Sequence, residues 1–230
     1  LDQYDDREFS DDDKQFLSLL DSAFHDDLDW YSLTDSMTEL RDHAGEPDIE
    51  GMIECGYIDE TTVLRKKYYS LTRKGWQAID ETVPGNGFGD HMEKMEHRVG
   101  VYLLNRHIAN RDGVGYVESY ESYDGETYDV VGYDLLGTVV VTGEVETESN
   151  NPTAVAEDYE KLSNAPGDVI WAHPGERDFS SVWEMINQHV LDEELSVTTI
   201  DRTAYLREYL EENELAGVDE VKTYSQLKNE

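Results

Sequence analysis

The stretch from Thr127 to Glu148, with the sequence TYDVVGYDLLGTVVVTGEVETE, constrains the fold more than any other part of the chain. It contains two short runs rich in β-branched and aromatic residues, separated by a Leu-Gly turn. Such runs predict two adjacent β-strands, here over residues 128–135 and 138–147. Acidic residues lie at the start of the first strand and at the end of the second, and these acids are the first candidates for a functional site.

Three carboxylates belong to this strand pair. Because alternate side chains of a strand share a face, Glu144 and Glu146 are predicted to lie on one face and Val145 on the other. Asp129 begins the neighbouring strand. Clustered carboxylates hold hard divalent cations, so the sequence predicts a site for Mg²⁺ or Mn²⁺. The alternative is that these acids are ordinary surface residues, since 53 of the 230 residues are Asp or Glu.

The acidic residues give the chain a formal net charge of −35, with only 18 Lys and Arg residues. They are interspersed with periodic apolar residues along the whole chain, which indicates a folded protein with an acidic surface. Self-repulsion of this size is tolerable where salt shortens the Debye length to about 3 Å at 1 M. The composition is therefore typical of a halophile, in particular a haloarchaeon. An acidic protein that mimics nucleic acid is the competing explanation.

Other features exclude several classes of protein. Cys55 is the single cysteine, so the sequence offers no disulfide framework and no cysteine-based metal site. There is no signal peptide and no apolar run near the roughly 20 residues that span a bilayer, so we expect a cytoplasmic protein without a membrane partner. Leu1 is not an initiating methionine, which leaves the true N-terminus undetermined. The sequence shows no glycine-rich phosphate loop, nucleophile elbow or small-molecule cofactor motif.

Residues 1–83 are predicted to form one domain. Helices are expected from Ser10, from Asp35 and over 47–55, each started by a capping residue or a proline. A β-hairpin follows over 57–71, with a return strand over 68–71. A last short helix is predicted over 72–79.

Three helices, a hairpin and the phrase YYSLTRKGWQAI resemble the winged helix-turn-helix domains of small prokaryotic regulators. Five of the 18 basic residues are packed into the hairpin and the start of the next helix, and we call them the basic wing: Arg65, Lys66, Lys67, Arg73 and Lys74. The first three are predicted to form the hairpin turn. A local basic patch suits phosphate contact and predicts DNA as a partner. The helix in the recognition position carries Asp48, Glu50 and Glu54, so DNA binding is expected to be led by the wing and weakly specific. The alternative is a winged helix used only for protein contacts.

The glycine-rich stretch over 84–90 is predicted to be a linker, and residues 91–230 a second domain. The predicted elements of that domain, in order, are a helix over 91–111, strands over 115–123, 128–135 and 138–147, a helix over 154–164, a strand over 168–172, a helix over 179–190, a strand over 196–200 and a closing helix over 203–213.

The order αβββαβ and the acids of the strand pair resemble the PD-(D/E)xK nuclease superfamily. The resemblance implies an α+β protein, in which a restriction-endonuclease-like domain follows the winged helix. It makes Asp129 the first acid of the motif and Glu144 the second, while Glu146 stands where the family's lysine usually stands. Lys161, on the following helix, is the candidate for the displaced cation, or else an i, i+4 partner of Glu157. Glu96 on the first helix is a further candidate acid, with His97 beside it.

The implied reaction is metal-dependent hydrolysis of a DNA phosphodiester, with Asp129, Glu144 and Glu146 as metal ligands and Lys161 orienting water. The two parts in this order, together with GEVETESNNPTAVAEDYEKLS, resemble the replication-relaxation proteins of plasmids and integrated elements. A homodimer is expected where both DNA strands are cut. Because Glu146 replaces the lysine, a catalytically inactive DNA-binding regulator or assembly protein remains the alternative.

Overall fold

The computed structural model describes residues 8–24, 28–33, 35, 37–79, 94–147 and 151–229. The chain divides into two compact units, Leu1–Glu96 and His97–Glu230. The predicted linker over 84–90 lies outside the described residues. In both units helices accompany strands, so the protein belongs to the α+β class that the sequence predicted.

The N-terminal unit combines helices with one β-hairpin. Its elements are α1 (Asp11–Phe24), α2 (Thr38–Ala44), α3 (Ile49–Glu54), β1 (Ile58–Val63), β2 (Lys66–Leu71) and α4 (Arg73–Ala78). Strands β1 and β2 are antiparallel, and Ile58 pairs with Leu71. The buried side chains of α1, α2 and α3 include Phe16, Leu17, Leu40 and Met52.

Side-chain caps begin the first and third helices. The Asp13 amide donates to Ser10 Oγ (3.1 Å), and the Ser10 amide donates to Asp13 Oδ2 (3.1 Å). The predicted N-cap at Ser10 is thereby confirmed. Asp48 caps α3 by accepting from the Gly51 amide at 3.0 Å. The predicted cap at Asp35 is wrong. Helix α2 begins at Thr38, which is too far along the chain for Asp35 to be its N-cap, and the N-cap residue Met37 makes no side-chain hydrogen bond to the helix.

The hairpin turn is shorter than the sequence predicted. Leu64 and Arg65 both have positive φ (48° and 65°), and they form a two-residue connection between paired Val63 and Lys66. Such left-handed two-residue turns match the twist of the flanking strands. Lys66 and Lys67 therefore belong to β2 and not to the turn.

The C-terminal unit is built around a mixed five-stranded sheet. Its elements are α5 (Met95–Ala109), β3 (Tyr116–Tyr123), β4 (Glu126–Tyr133), β5 (Val139–Val145), α6 (Pro152–Ser163), β6 (Asp168–His173), α7 (Glu176–His189), α8 (Val197–Ile200), α9 (Thr203–Asn213), β7 (Glu220–Thr223) and α10 (Tyr224–Asn229). The strand order is β3-β4-β5-β6-β7. Pairing is antiparallel from β3 to β5 and parallel from β5 to β7. Strand β5 is thus central, and the pairing direction changes at it.

The prediction of a fifth strand over 196–200 is wrong. The β-branched run from Val197 to Ile200 has strand propensity, but the Ser196 hydroxyl accepts from the Thr199 amide and caps a short helix there. The fifth strand is β7, which follows the helix that the sequence predicted to close the domain. Asp219 fixes β7 against β6 by accepting from the Val169 amide at 2.7 Å.

Helices cover the sheet, and one large core cluster joins the sheet to α6, α7 and α9. Its fully buried aromatic residues include Trp171, Phe179 and Trp183. Helix α5 lies close to β5, because a Cβ at Gly143 would lie 2.8 Å from Leu104 Cδ2. The predicted acids lie at the C-terminal end of β5, and this end is next to α6.

Candidate metal site at the end of the central strand

Three carboxylates meet where β5 ends. Glu144 and Glu146 come from the end of β5, and α6 adds Asp158. One carboxylate oxygen of each lies within 4.8 Å of the other two, and we call these three residues the acid cluster. Glu144 is 7% exposed and Glu146 is 1% exposed. Buried carboxylates are costly unless a cation or a proton compensates their charge.

Helix α6 is held so that one of its flanks faces the strand end. Asn151 Oδ1 accepts from the Thr153 and Ala154 amides (3.1 and 3.0 Å), and Pro152 occupies the first turn. The apolar face of the helix is buried through Val155, Tyr159 and Leu162. Because neighbours three residues apart share a helix face, Asp158 and Lys161 lie together on the flank beside this apolar face.

Lys161 contacts oxygen atoms from three different elements. Its Nζ lies 3.0 Å from Glu144 Oε2 on β5 and 2.9 Å from Asp158 Oδ1 on α6. It also donates to the Thr127 carbonyl on β4 at 3.1 Å. The Tyr128 ring centroid lies 5.4 Å away. The structure therefore brings Lys161 to Glu144, and its pairing within α6 is with Asp158.

Asp129 flanks the acid cluster without belonging to it. The last main-chain pair of the β4–β5 ladder in this direction joins Val130 to Gly143. Beyond that pair the Asp129 side chain, and not a main-chain carbonyl, is the acceptor: the Val145 amide donates to Asp129 Oδ2 at 2.8 Å. The same oxygen lies 3.2 Å from His97 Nε2 on α5. Asp129 thus closes the strand pair and connects α5 to it.

Burial and charge shift the pKa values at this site. Burial raises the pKa of Glu144 well above its usual range; the Asp129 charge raises it further, and Lys161 opposes the shift. Burial alone would lower the pKa of Lys161, but Glu144 and Asp158 outweigh it and the pKa is raised. Lys161 is therefore a fixed cation among acids that outnumber it, and the site favours binding of additional positive charge.

A buried histidine supports the backbone of Glu146. His173, at the end of β6, is fully buried, and its Nδ1 lies 3.1 Å from the Glu146 carbonyl. Trp183 Nε1 donates to His173 Nε2 at 3.2 Å. Since the indole can only donate, Nε2 is the acceptor and the proton is on Nδ1. Burial lowers the pKa of His173 to about 4, so the ring is neutral at pH 7.

The remaining predicted site residues are Glu96 and the basic wing. Glu96 is half-buried at the start of α5, and the group of acids around Glu144 does not include it. In the basic wing, Arg65 and Arg73 are exposed. Lys67 pairs with Glu60 (2.8 Å), while Lys74 donates to the Cys55 carbonyl and lies over the Tyr57 ring. Three residues of the wing are thus exposed, namely Arg65, Lys67 and Arg73.

Sequence reasoning missed two residues of the site. Asp158 was not among the predicted site residues, although its Asp-x-x-Lys spacing to Lys161 places both on one helix face. His173 follows the apolar run Asp168–Ala172 directly. A polar residue at the end of a buried parallel strand is the signal that could have identified it.

A cleft of about 790 Å³ opens beside Lys161. It lies between the β3–β4 hairpin and α6, and Tyr128 and Lys161 line both the cleft and the site. Four carboxylates line it as well, namely Asp124, Glu126, Glu157 and Glu160. This lining attracts cations and repels an uncompensated phosphate group.

Comparison with protein-family models, with curated proteins and with solved structures gave no match to this chain. Among the described residues, no helix combines the length and the apolar character needed to cross a membrane.

Proposed function

We propose that this chain is a DNA-binding protein whose C-terminal unit hydrolyses DNA phosphodiester bonds with Mg²⁺ or Mn²⁺, in a mobile-element or restriction-type system. The observation that carries the proposal is the acid cluster with Lys161 at the end of the central strand. The donors are all carboxylate oxygens, which suits a hard divalent ion and not a soft one. Two of them, Glu144 and Glu146, are buried.

Each residue has a role in this proposal. Glu144, Glu146 and Asp158 would hold the ion, which when bound lowers the pKa of water and offsets charge on a phosphate. Asp129 holds the end of β5 through the Val145 amide, so it keeps Glu144 and Glu146 in register. Lys161 contacts Glu144 and Asp158 of the acid cluster, and it orients water or phosphate.

The N-terminal unit would attach the protein to DNA. Its order of helices, hairpin and short helix is compatible with a winged helix. The exposed Arg65 and Arg73 offer the charge that phosphate contact requires. In a chain with a formal net charge of −35, such local cations are needed for any contact with a polyanion.

Supercoiled plasmid incubated in molar KCl with Mg²⁺ or Mn²⁺ tests the proposal. The wild-type protein is expected to nick or linearise the plasmid. Glu144→Ala and Asp129→Ala should abolish cleavage, the first by removing a ligand and the second by releasing the strand end. Glu211→Ala removes an exposed acid of α9 and is the matched control. Cleavage that survives both site substitutions would refute the proposal.

A second candidate is a DNA-binding regulator or assembly protein that has lost catalysis. The cleft beside the site favours it, because its four carboxylates oppose entry of a phosphate backbone. The engagement of Lys161 by three oxygens favours it too, since a lysine so held is a structural ion pair. DNA retarded in a gel by a protein that leaves plasmid intact with either metal would support this candidate over the nuclease.

A further inference from the structure

Lys161 and the acid cluster share ligand atoms. Two of the three clustered carboxylates, Glu144 and Asp158, are also the two that contact the Lys161 ammonium, at 3.0 and 2.9 Å. The Thr127 carbonyl completes a set of three oxygens around Nζ. Three oxygens thus lie within 3.1 Å of the Lys161 ammonium. Lys161 is therefore bound in the manner of a small cation.

We propose that Lys161 is the built-in counter-ion of the acid cluster and that a divalent ion binds only by displacing it from Glu144 and Asp158. This inference concerns regulation of the site in the proposed function and rests on that function for the identity of the ion. It assigns Lys161 an inhibitory role toward metal binding. The lysine lowers metal affinity, and metal release returns the ammonium to the two carboxylates.

Charge and burial explain why the two cations exclude each other. As a whole residue Glu144 is 7% exposed, and the side chains of Lys161 and Glu144 are each 10% exposed. Little solvent therefore separates the two charges. A divalent ion bound by Glu144 and Asp158 would lie next to the ammonium, and like charges repel strongly where water is excluded. The stem of Lys161 is flexible, and the cleft beside the site has room for its displaced end.

Mn²⁺ binding in molar KCl, measured by electron paramagnetic resonance of the free ion, tests the competition. Lys161→Met keeps most of the length of the side chain and removes the charge, and it should tighten Mn²⁺ binding by about tenfold, a usual size for coupled sites. Lys161→Arg retains the charge and should stay within about twofold of wild type. Lys228→Met makes the same charge change at an exposed position of α10 and should also leave the affinity within about twofold. Equal affinities in wild type and Lys161→Met, or no binding by either, would overturn the inference.

A measurement on the wild-type protein covers the case in which Lys161→Met does not fold. Amine-reactive labelling with mass spectrometry reports the reactivity of each lysine with and without Mn²⁺. Labelling of Lys161 is expected to rise several-fold with the metal because the ammonium loses its carboxylate partners, while labelling of Lys228 stays constant. Labelling of Lys161 that does not change at saturating Mn²⁺ would overturn the inference.

Failure of this inference and failure of the proposed function are distinguishable. Metal-dependent plasmid cleavage without tighter binding in Lys161→Met would retain the nuclease and reject the competition. Tighter binding in Lys161→Met by a protein that never cleaves DNA would retain the competition and reject the nuclease.

Discussion

The buried histidine behind Glu146 gives the protein a pH-dependent term in its stability that one substitution should remove. His173→Gln is the perturbation. A glutamine amide can donate to the Glu146 carbonyl and accept from Trp183, but it cannot take up a proton near neutral pH. The variant should therefore fold as the wild type does at pH 7.

The magnitude follows from the pKa. Burial lowers the pKa of His173 from 6.5 to about 4. Between these pH values the unfolded chain binds a proton at this residue and the folded protein does not. The stabilisation is therefore complete above about pH 6.5 and is lost as the pH falls toward 4. At about 1.4 kcal/mol per pKa unit, the loss from this one residue is about 3 kcal/mol.

Denaturant unfolding in molar KCl, followed by tryptophan fluorescence from pH 7 to pH 4, measures the effect. Carboxylates titrate in this range in every variant, so the informative quantity is the difference between His173→Gln and wild type at each pH. That difference should move by about 3 kcal/mol in favour of the variant on acidification. His189→Gln, which removes an exposed histidine of α7, is the control. A constant difference between His173→Gln and wild type would show that His173 is not held neutral, and the reasoning would be refuted.

Three other substitutions test separate features. Trp183→Phe removes the donor to the buried imidazole and should cost about 1–3 kcal/mol beyond the lost volume; ¹⁵N NMR should show an altered tautomer balance that Trp171→Phe leaves unchanged. Gly167→Ala places a Cβ 2.3 Å from a main-chain carbon of β5 at φ 75°, and it should lower the free energy of unfolding by more than about 3 kcal/mol in denaturant unfolding. Gly113→Ala is the control: Gly113 has φ 89° but open space around it, and this substitution should cost about 1 kcal/mol. Arg65→Asn, which tolerates the left-handed turn, should lower the salt dependence of DNA retardation by about one unit of slope; an unchanged slope would exclude this arginine from phosphate contact.

The local elements of the fold could be predicted well because their signals are local. The cap at Ser10 consists of short-range hydrogen bonds between residues close in sequence. The strands on either side of the Leu-Gly turn follow from β-branched runs and a two-fold alternation that needs no tertiary knowledge.

The error over the fifth strand has a tertiary cause, whereas the cap at Asp35 and the length of the hairpin turn are errors in interpreting local signals. The run Val197–Ile200 has higher strand propensity than Glu220–Thr223, yet the second segment forms the strand. Its pairing depends on Asp219 and on the exposed edge of β6, some fifty residues away in sequence. Propensity within a short window contains no information on which segment reaches that edge.

In the candidate site, too, some features follow from local signals and others depend on tertiary packing. The shared face of Glu144 and Glu146 follows from strand period alone. The addition of Asp158 depends on how α6 crosses the sheet, which sequence spacing does not determine. The separation of Asp129 from the acid cluster depends on where the β4–β5 ladder stops, and a single hydrogen bond to Val145 decides it.

The acid cluster, Lys161 and Asp129 all come from one continuous segment, Asp129 to Lys161, built around β5. Contacts within such a segment close short loops, so their entropic cost is low and they can form early in folding. Strand β7 closes a much longer loop, so we expect it to complete the sheet later. A nascent chain would therefore assemble its candidate metal ligands before its sheet is finished, and a divalent ion present at that stage would stabilise an intermediate as well as the native protein.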